Sequence, residues 1–181
     1  MKSALQTLGF FLLFFFVFLI CPSSCAGTRT YDAGAFTKRD YDAAISGRID
    51  TLEVSGRAIN RPCAAEDEIR FSFCFDSPES LEGMMISVTA DGEVFISLDG
   101  EMSRCVDDSP LAGAFYPLFE MIGNVEVTRT RDGGITAYAR DERADLQYSF
   151  VSGEELPFRV SGRYLERSID LTVREISDND K

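Results

Sequence analysis

The sequence predicts a mainly β protein of the α+β class, an antiparallel meander of about ten to eleven strands with one principal covering helix. After residue 40, apolar and polar residues alternate with the period of two that is typical of half-buried strands. Turn residues interrupt this alternation roughly every ten positions. One stretch, 109–123, instead has the period of an amphipathic helix. Since a sheet of so many twisted strands tends to curl, we expect a curved sheet or half-barrel.

The N-terminus carries an almost purely apolar run from Leu8 to Ile20, preceded by Lys2 and followed by small residues. This run is shorter than the about 20 residues of a transmembrane helix and fits the core of a secretory signal. We therefore predict an exported protein. Its expected organisation is a signal peptide at 1–26, an N-terminal tether at 27–40, a single β-rich domain at 41–176 and a polar tail at 177–181.

Two processing sites fit the end of this signal. The stretch 23–26 resembles a bacterial lipobox in which Cys25 is diacylated and becomes the first residue, although Pro22 stands where that motif usually has Leu. The protein would then be held by its lipid at the outer face of the bacterial cytoplasmic membrane. In the alternative, Ser24 and Ala26 define an ordinary cleavage site before Gly27, and the protein is secreted.

Composition excludes several classes of function. With 18 basic and 30 acidic residues, the net charge is −12, and no basic cluster offers a site for nucleic acid. The chain has no histidine and no CxxC pair, so we expect no metal site and no cofactor. Beyond the signal only Cys63, Cys74 and Cys105 remain. A hairpin turning near residues 64–65 would place Cys63 close to the turn and Cys74 far along the return strand, which disfavours a bridge between them.

The first strands follow the alternation. Residues 41–46 alternate and lead to Gly47, although a helix is an alternative there because Thr37 and Asp40 could cap one. A second strand covers 52–59. The clearest strand then places Ile69, Phe71, Phe73 and Phe75 on one face, which requires a covered sheet face. Two further hairpins turn at the Asp-Gly pairs 91–92 and 99–100, giving strands at 84–90, 93–98 and 102–106.

The covering helix is predicted from its capping and from its apolar stripe. Ser109 can cap it, Pro110 suits its first position, and Gly123 ends it. Pro117 should kink this helix or split it in two. The apolar positions at helical spacing are Leu111, Ala114, Phe115, Leu118, Met121 and Ile122. Such a helix must lie on the sheet, and it is the obvious cover for the Phe71, Phe73 and Phe75 face.

The second half repeats the meander. Strands are expected at 125–130, 135–139, 146–150, 156–160 and 169–173. The loop residues Gly133, Gly134 and Gly153 mark turns between them.

This succession of elements resembles the LolA/LolB-like lipoprotein-carrier fold of bacterial exported lipoproteins. The resemblance rests on the order of elements over most of 41–176 and on two short turn motifs: P-x-x-L-x-G at 78–83 after the Phe-rich strand, and G-x-x-L-P at 153–157. It implies a curved half-barrel closed by helices, with an apolar cavity that can hold acyl chains. The carriers use several helices as a lid where this sequence has one, and no functional residue of that family is transferred.

Three classes of function follow. The first is a carrier that binds a lipid or other apolar ligand, with Phe71, Phe73, Phe75, Phe115, Leu118 and Ile122 as the expected cavity lining. The second is an envelope or surface interaction module with a packed core and an unknown protein partner. The third, least favoured, is an enzyme. Without histidine and the common nucleophile motifs only a carboxylate-dependent hydrolase remains, and no feature singles out a catalytic pair among the 30 acidic residues. We therefore predict that the protein is not an enzyme.

Overall fold

The computed structural model describes residues 31–66, 68–104, 110–129 and 133–176. The predicted signal peptide with Cys25, the start of the predicted tether, Cys105, the cap residue Ser109 and the tail 177–181 lie outside these residues. Among the described residues, no helix has both the length and the apolar character needed to cross a membrane.

In the described part of the chain, eleven strands form one open antiparallel sheet, which confirms the predicted fold class. The strands are β1 (Tyr41–Ile49), β2 (Leu52–Asn60), β3 (Ile69–Ser77), β4 (Met85–Thr89), β5 (Val94–Leu98), β6 (Glu101–Arg104), β7 (Asn124–Arg129), β8 (Ile135–Arg140), β9 (Ala144–Phe150), β10 (Arg159–Tyr164) and β11 (Arg167–Glu175). Their order in the sheet is β6-β5-β4-β3-β2-β1-β11-β10-β9-β8-β7. Each half of the chain is a meander, and the first and last strands join the two halves.

Successive side chains along each strand point to opposite faces of the sheet. In β1 the buried residues lie at alternate positions, among them Tyr41, Ala43, Ile45 and Ile49, and β9 and β11 repeat this pattern. We call the apolar side of the sheet the buried face and the other side the outer face. Because the 41–46 region pairs with both β2 and β11, it is a strand, and the helical alternative is wrong.

Tight turns join the first hairpins as predicted. Gly92 has φ 89°, and the next turn places Asp99 at φ 51° and Gly100 at φ 83°. These left-handed conformations suit Asp-Gly pairs.

Ile69 departs from the prediction that it shares one face of its strand with the phenylalanines. The pairing of β3 with β4 shifts register between Ile69 and Phe71, and Ile69 is 41% exposed instead of sharing the face of the phenylalanines.

The predicted helix over 109–123 is much shorter than expected. Over the described part of this stretch, an α-helix, α1 (Pro110–Gly113), is followed by a separate 3₁₀ turn (Tyr116–Leu118). Pro117 lies inside that 3₁₀ turn, and it has no N–H for an α-helical hydrogen bond, so the split that the sequence predicts at this residue is found. We refer to residues 111–122 as the strap. Most of its apolar positions are nevertheless buried, including Phe115, Leu118 and Ile122.

The described part of the predicted tether packs onto the sheet. A 3₁₀ turn (Ala35–Lys38) contains Phe36, which is fully buried, and Ala33 is 4% exposed. The Asn60 side chain donates to the backbone carbonyl of Arg39 at 2.9 Å and fixes the entry to β1. Packing of the folded unit therefore begins before residue 41.

Cys63 and Cys74 are both free, the first exposed and the second half-buried, so they form no bridge.

Asp50 ties the β1–β2 turn to the start of β11. Its carboxylate accepts hydrogen bonds from Arg167 Nη1 at 2.7 Å and from the Ser168 backbone N–H at 2.8 Å. The Arg167 hydrogen bond, and then the Ser168 bond, hold the pKa of Asp50 below its ordinary value. The stabilisation is therefore present above the unfolded-state pKa and is lost as the pH falls through the lower folded-state pKa.

We expect Asp50→Asn to lower the melting temperature near neutral pH, with a difference from the wild type that shrinks as the pH falls below about 4. Thermal unfolding at several pH values measures this. Asp99→Asn is the matched control, because Asp99 has a similar backbone (φ 51°) but lies in an exposed hairpin turn. A constant difference at all pH values would show that the Asp50 charge does not contribute.

Candidate functional site

The buried face of β3 is a row of aromatic rings. Phe71, Phe73 and Phe75 are at most 1% exposed and follow one another at spacing two on the same side of the strand. Directly opposite on β4, Ile86 pairs with Phe73 and Val88 with Phe71, and both are buried as well. The predicted covered face is therefore present on this half of the sheet.

The strap covers this row through two aromatic residues four positions apart. Phe115 stacks on Phe73 with ring centroids 4.2 Å apart and meets Phe75 edge to face at 5.7 Å. Phe119 stacks on Phe71 at 4.4 Å. Such pairs contribute beyond their buried area, so the strap is bound to the sheet mainly by aromatic packing.

The six residues predicted to line a cavity are all buried, but they do not share one role. Four of them pack ring against ring and fill space: Phe71, Phe73, Phe75 and Phe115. Leu118 is 3% exposed, and its carbonyl accepts a hydrogen bond from the Tyr41 hydroxyl. Ile122 borders an actual cavity. The predicted lining omits Phe119, although its spacing of four from Phe115 is a usable signal.

A cavity of about 310 Å³ lies beside the strap. This volume is at the lower end of the range of ligand pockets. Its lining consists of Val94, Ala112, Gly113, Tyr116, Glu120, Met121, Ile122, Gly123, Asp141, Arg143, Tyr164 and Leu165. Aromatic and aliphatic side chains are combined with three charged ones, and the lining surface is more polar than apolar.

On the other half of the sheet, the N-terminal 3₁₀ turn inserts Phe36 against β9. The ring of Phe36 lies 5.8 Å from that of Tyr148 and 6.4 Å from that of Phe150. Sequence reasoning misses this contact because it assigns residues 27–40 to a tether. A lone Phe in a polar stretch, flanked by Ala33 and Ala35, is the local signal for it.

Few polar groups interrupt the described part of the buried face. Burial raises the pKa of both Tyr41 and Tyr148, so these hydroxyls stay neutral at any physiological pH. Tyr148 OH has no hydrogen-bond partner among the described residues. The Asn60 side chain is fully buried and bonds the Arg39 carbonyl. The described part of this face is therefore mostly apolar, and one charged group reaches it: the Arg70 guanidinium lies 5.7 Å from the centre of the Phe119 ring.

The outer face has the opposite chemistry. Cross-strand ion pairs run along it, for example Arg159 with Asp170, joined by two hydrogen bonds of 2.8 Å, and Arg57 with Asp42. The Arg159 guanidinium holds the pKa of Asp170 below its usual range. A shallow groove of about 900 Å³ lies here among serine and threonine hydroxyls and the Arg159–Asp170 pair. Because the charges satisfy each other, the groove offers little for binding an apolar molecule.

An acid–base pair of the glycosidase type needs one carboxyl group with a raised pKa. The described carboxyls with a displaced pKa are all displaced downward by hydrogen bonds, whereas a general acid needs a raised pKa. They are Asp32, Asp50, Asp91 and Asp170. Within the described ranges, no group of three or more acidic or cysteine side chains is arranged to hold a metal ion.

No protein-family model and no curated protein matches the chain. Solved structures do show similarity. An uncharacterized conserved protein from Thermus thermophilus is 23% identical over 75% of this chain and 76% of that one, with a TM-score of 0.46. A domain described as a putative outer membrane lipoprotein-sorting protein, from Vibrio parahaemolyticus, is 11% identical over 78% and 88%, with a TM-score of 0.42.

A LolA superfamily protein from Nitrosomonas europaea is 11% identical over 77% of this chain and 87% of that one, with a TM-score of 0.36.

Proposed function

We propose that this chain is an exported, non-enzymatic binding protein that holds a lipid or similar amphipathic ligand in the cavity beside the strap. The observation that carries the proposal is the cavity of about 310 Å³ beside the strap. Acyl carbons would lie against Tyr116, Ile122 and Leu165, and a polar head group would lie near Arg143 or Glu120.

The strap is suited to act as the movable wall of this site. Its regular elements are the last three residues of α1 (Pro110–Gly113) and a three-residue 3₁₀ turn, so no long run of helical hydrogen bonds holds its shape. Met121, an adaptable side chain, lies on the cavity wall. Displacing the strap would open the apolar face of β3 and enlarge the cavity without breaking a strand pair.

The site of action follows from the sequence. Residues 1–26 have the pattern of a signal peptide, and diacylation of Cys25 would hold the protein on the outer face of the cytoplasmic membrane. Cleavage before Gly27 would release it instead. In either case an acyl-chain ligand would be available at the neighbouring membrane.

A packed-core interaction module without a small ligand is the second candidate. The close stacking of Phe115 on Phe73 and of Phe119 on Phe71 favours it, because these rings already fill the space between strap and sheet. The two candidates differ in whether the cavity beside the strap takes up a ligand.

Native mass spectrometry of the full chain, processed by a bacterial host, tests the proposal. We expect a lipid mass that organic extraction removes, together with binding of a fluorescent fatty acid by the extracted protein. Gly113→Leu should weaken that binding about tenfold or more by filling the cavity. A Cβ at Gly113 would lie 3.3 Å from Leu165 Cδ1, the end of a movable side chain.

Ala65→Leu is the matched control, because it adds a similar side chain on the exposed loop between β2 and β3. We expect it to bind the fatty acid as the wild type does. A folded wild type that carries no lipid and binds no fatty acid would contradict the carrier proposal and leave the packed-core module as the remaining candidate. The mass of the chain itself reports maturation: a covalent lipid on a chain beginning at Cys25 supports anchoring, and a chain beginning at Gly27 contradicts it.

A further inference from the structure

The cavity beside the strap lies between two walls from different parts of the chain. The strap forms one wall and contributes Glu120. The β8–β9 turn, which contains Asp141 and Arg143, and the β10–β11 turn form most of the other wall. The walls meet at Gly123, directly after the strap, where a Cβ would lie 2.5 Å from the Arg140 carbonyl oxygen. The cavity is therefore a defined gap between the strap and two turns of the sheet.

Backbone contacts fix the wall that carries Asp141 and Arg143. The Arg143 N–H donates a hydrogen bond to the Asp141 carboxylate at 2.7 Å, and the Asp141 N–H donates to the Ala144 carbonyl at 2.9 Å. The Arg143 carbonyl accepts a hydrogen bond from the Leu165 N–H of the β10–β11 turn, also at 2.9 Å. The acidic and the basic side chain therefore start from backbone positions that are held beside each other.

Charges of both signs border the cavity, and they do not neutralise one another in ion pairs. Within the described residues, neither the Glu120 carboxylate nor the Arg143 guanidinium has an ion-pair partner. By contrast, Arg140 and Asp145, on the strands that flank the same turn, pair at 2.9 Å. Both Glu120 and Arg143 are exposed, so a ligand can reach them. A bound molecule with charges of both signs would pair with both groups.

The surroundings of Arg143 are acidic overall. An open groove of about 660 Å³ shares Asp141, Arg143 and Leu165 with the cavity. Its other charged side chains are three acidic ones and one basic one: Glu142, Asp145, Glu166 and Arg163. Since the whole chain also has a net charge of −12, a purely anionic head group would be repelled here. A purely cationic head group would face the Arg143 guanidinium, which repels it.

We propose, on the basis of the lipid-binding function proposed above, that the ligand is a zwitterionic amphiphile with a phosphate and a primary ammonium group. Its phosphate would pair with the Arg143 guanidinium, which can donate two parallel hydrogen bonds to phosphate oxygens. Its ammonium group, with three donors, would bond to Glu120 on the strap and to Asp141 on the opposite wall. The lining surface is more polar than apolar, which suits a head group. The bound head group would thus join the strap to the β8–β9 turn.

Isothermal titration calorimetry of the extracted full chain, as a bacterial host processes it, tests the proposal with single-chain amphiphiles that differ in head-group charge. The probes have the same short chain length and are used below their critical micelle concentrations. They are lysophosphatidylethanolamine (zwitterionic), lysophosphatidylglycerol (anionic), an alkylamine (cationic) and a monoacylglycerol (uncharged). We expect lysophosphatidylethanolamine to bind at least about tenfold more tightly than each of the others, because only its head group pairs with both signs of charge.

Two charge-removing variants should change this preference in opposite ways. Arg143→Gln should weaken lysophosphatidylethanolamine binding about tenfold and strengthen alkylamine binding. Glu120→Gln should also weaken lysophosphatidylethanolamine binding, but should strengthen lysophosphatidylglycerol binding. A purely structural role of either residue would not produce these reversals. Arg174→Gln and Glu101→Gln are the matched controls, because they remove the same charges from exposed positions outside the cavity lining, and they should bind all probes as the wild type does.

The outcomes separate this inference from the function on which it rests. If no probe binds to the folded wild type, the lipid-binding function itself is wrong. If the probes bind regardless of charge, or if lysophosphatidylglycerol or the alkylamine binds as tightly as lysophosphatidylethanolamine, the head-group assignment is overturned while lipid binding stands. A preference for lysophosphatidylethanolamine that both Arg143→Gln and Glu120→Gln retain would also overturn it, since the head group would then lie elsewhere.

Discussion

Replacing Gly47 with alanine should cost about 4 kcal/mol or more, a large share of the stability of a single domain. Gly47 lies within β1 with φ 152°, a conformation that L side chains rarely adopt. A Cβ there would lie 2.0 Å from the Asp170 carbonyl oxygen and 2.9 Å from the Leu171 Cα. Both are backbone atoms of β11, so the clash can be relieved only by separating the strands that join the two halves of the sheet.

Gly162→Ala should act in the same way at the pairing of β10 with β9. Gly162 has φ 133°, and a Cβ there would lie 2.1 Å from the Asp145 carbonyl oxygen. Gly92→Ala is the control: its φ is 89°, but no atom lies within 4 Å of the added Cβ. This control carries the conformational strain alone, about 1–2 kcal/mol.

Urea unfolding measures these differences in stability. Far-UV circular dichroism is the suitable signal, because the chain has no tryptophan. Gly47→Ala and Gly162→Ala should lose much more stability than Gly92→Ala, or should fail to fold. If Gly47→Ala stays within about 1 kcal/mol of Gly92→Ala, the close approach of β1 to β11 is not a constraint on the fold.

These glycines also mark the limit of sequence reasoning. Alternation of apolar and polar residues identifies the strands, and the Asp-Gly pairs identify two hairpin turns, because both signals are local. The local pattern ends the first strand at Gly47, but β1 continues through it to Ile49. The reason is the contact with β11, at the far end of the chain, which no local pattern contains.

The site is predicted less completely than the sheet, for a similar reason. Helical spacing correctly places most apolar positions of the strap on the sheet, and Pro117 predicts that the helix is split. Neither signal predicts how short the two pieces are. Phe36 escapes prediction because its burial depends on Tyr148 and Phe150, far along the chain. The cavity beside the strap includes Leu165, which has a left-handed backbone conformation (φ 48°). The sequence pattern does not predict this conformation.

Phe115→Ala should cost about 3–5 kcal/mol, since it removes a fully buried ring and leaves a cavity. Two partner rings lose their contacts, Phe73 at 4.2 Å and Phe75 at 5.7 Å. Phe158→Ala is the control, because Phe158 is 45% exposed, and its loss should stay within about 1 kcal/mol.

A double-mutant cycle of Phe115→Ala with Phe73→Ala isolates the contact between strap and sheet. Since the rings are stacked, we expect a coupling of about 0.5–1.5 kcal/mol. The same cycle in the presence of the fluorescent fatty acid then relates stability to the proposed ligand. If the strap moves when the ligand binds, the coupling should fall when the ligand is bound, because the stack is opened. A coupling near zero without ligand would mean that Phe115 and Phe73 do not hold the strap on the sheet, and the covering role of the strap would have to be abandoned.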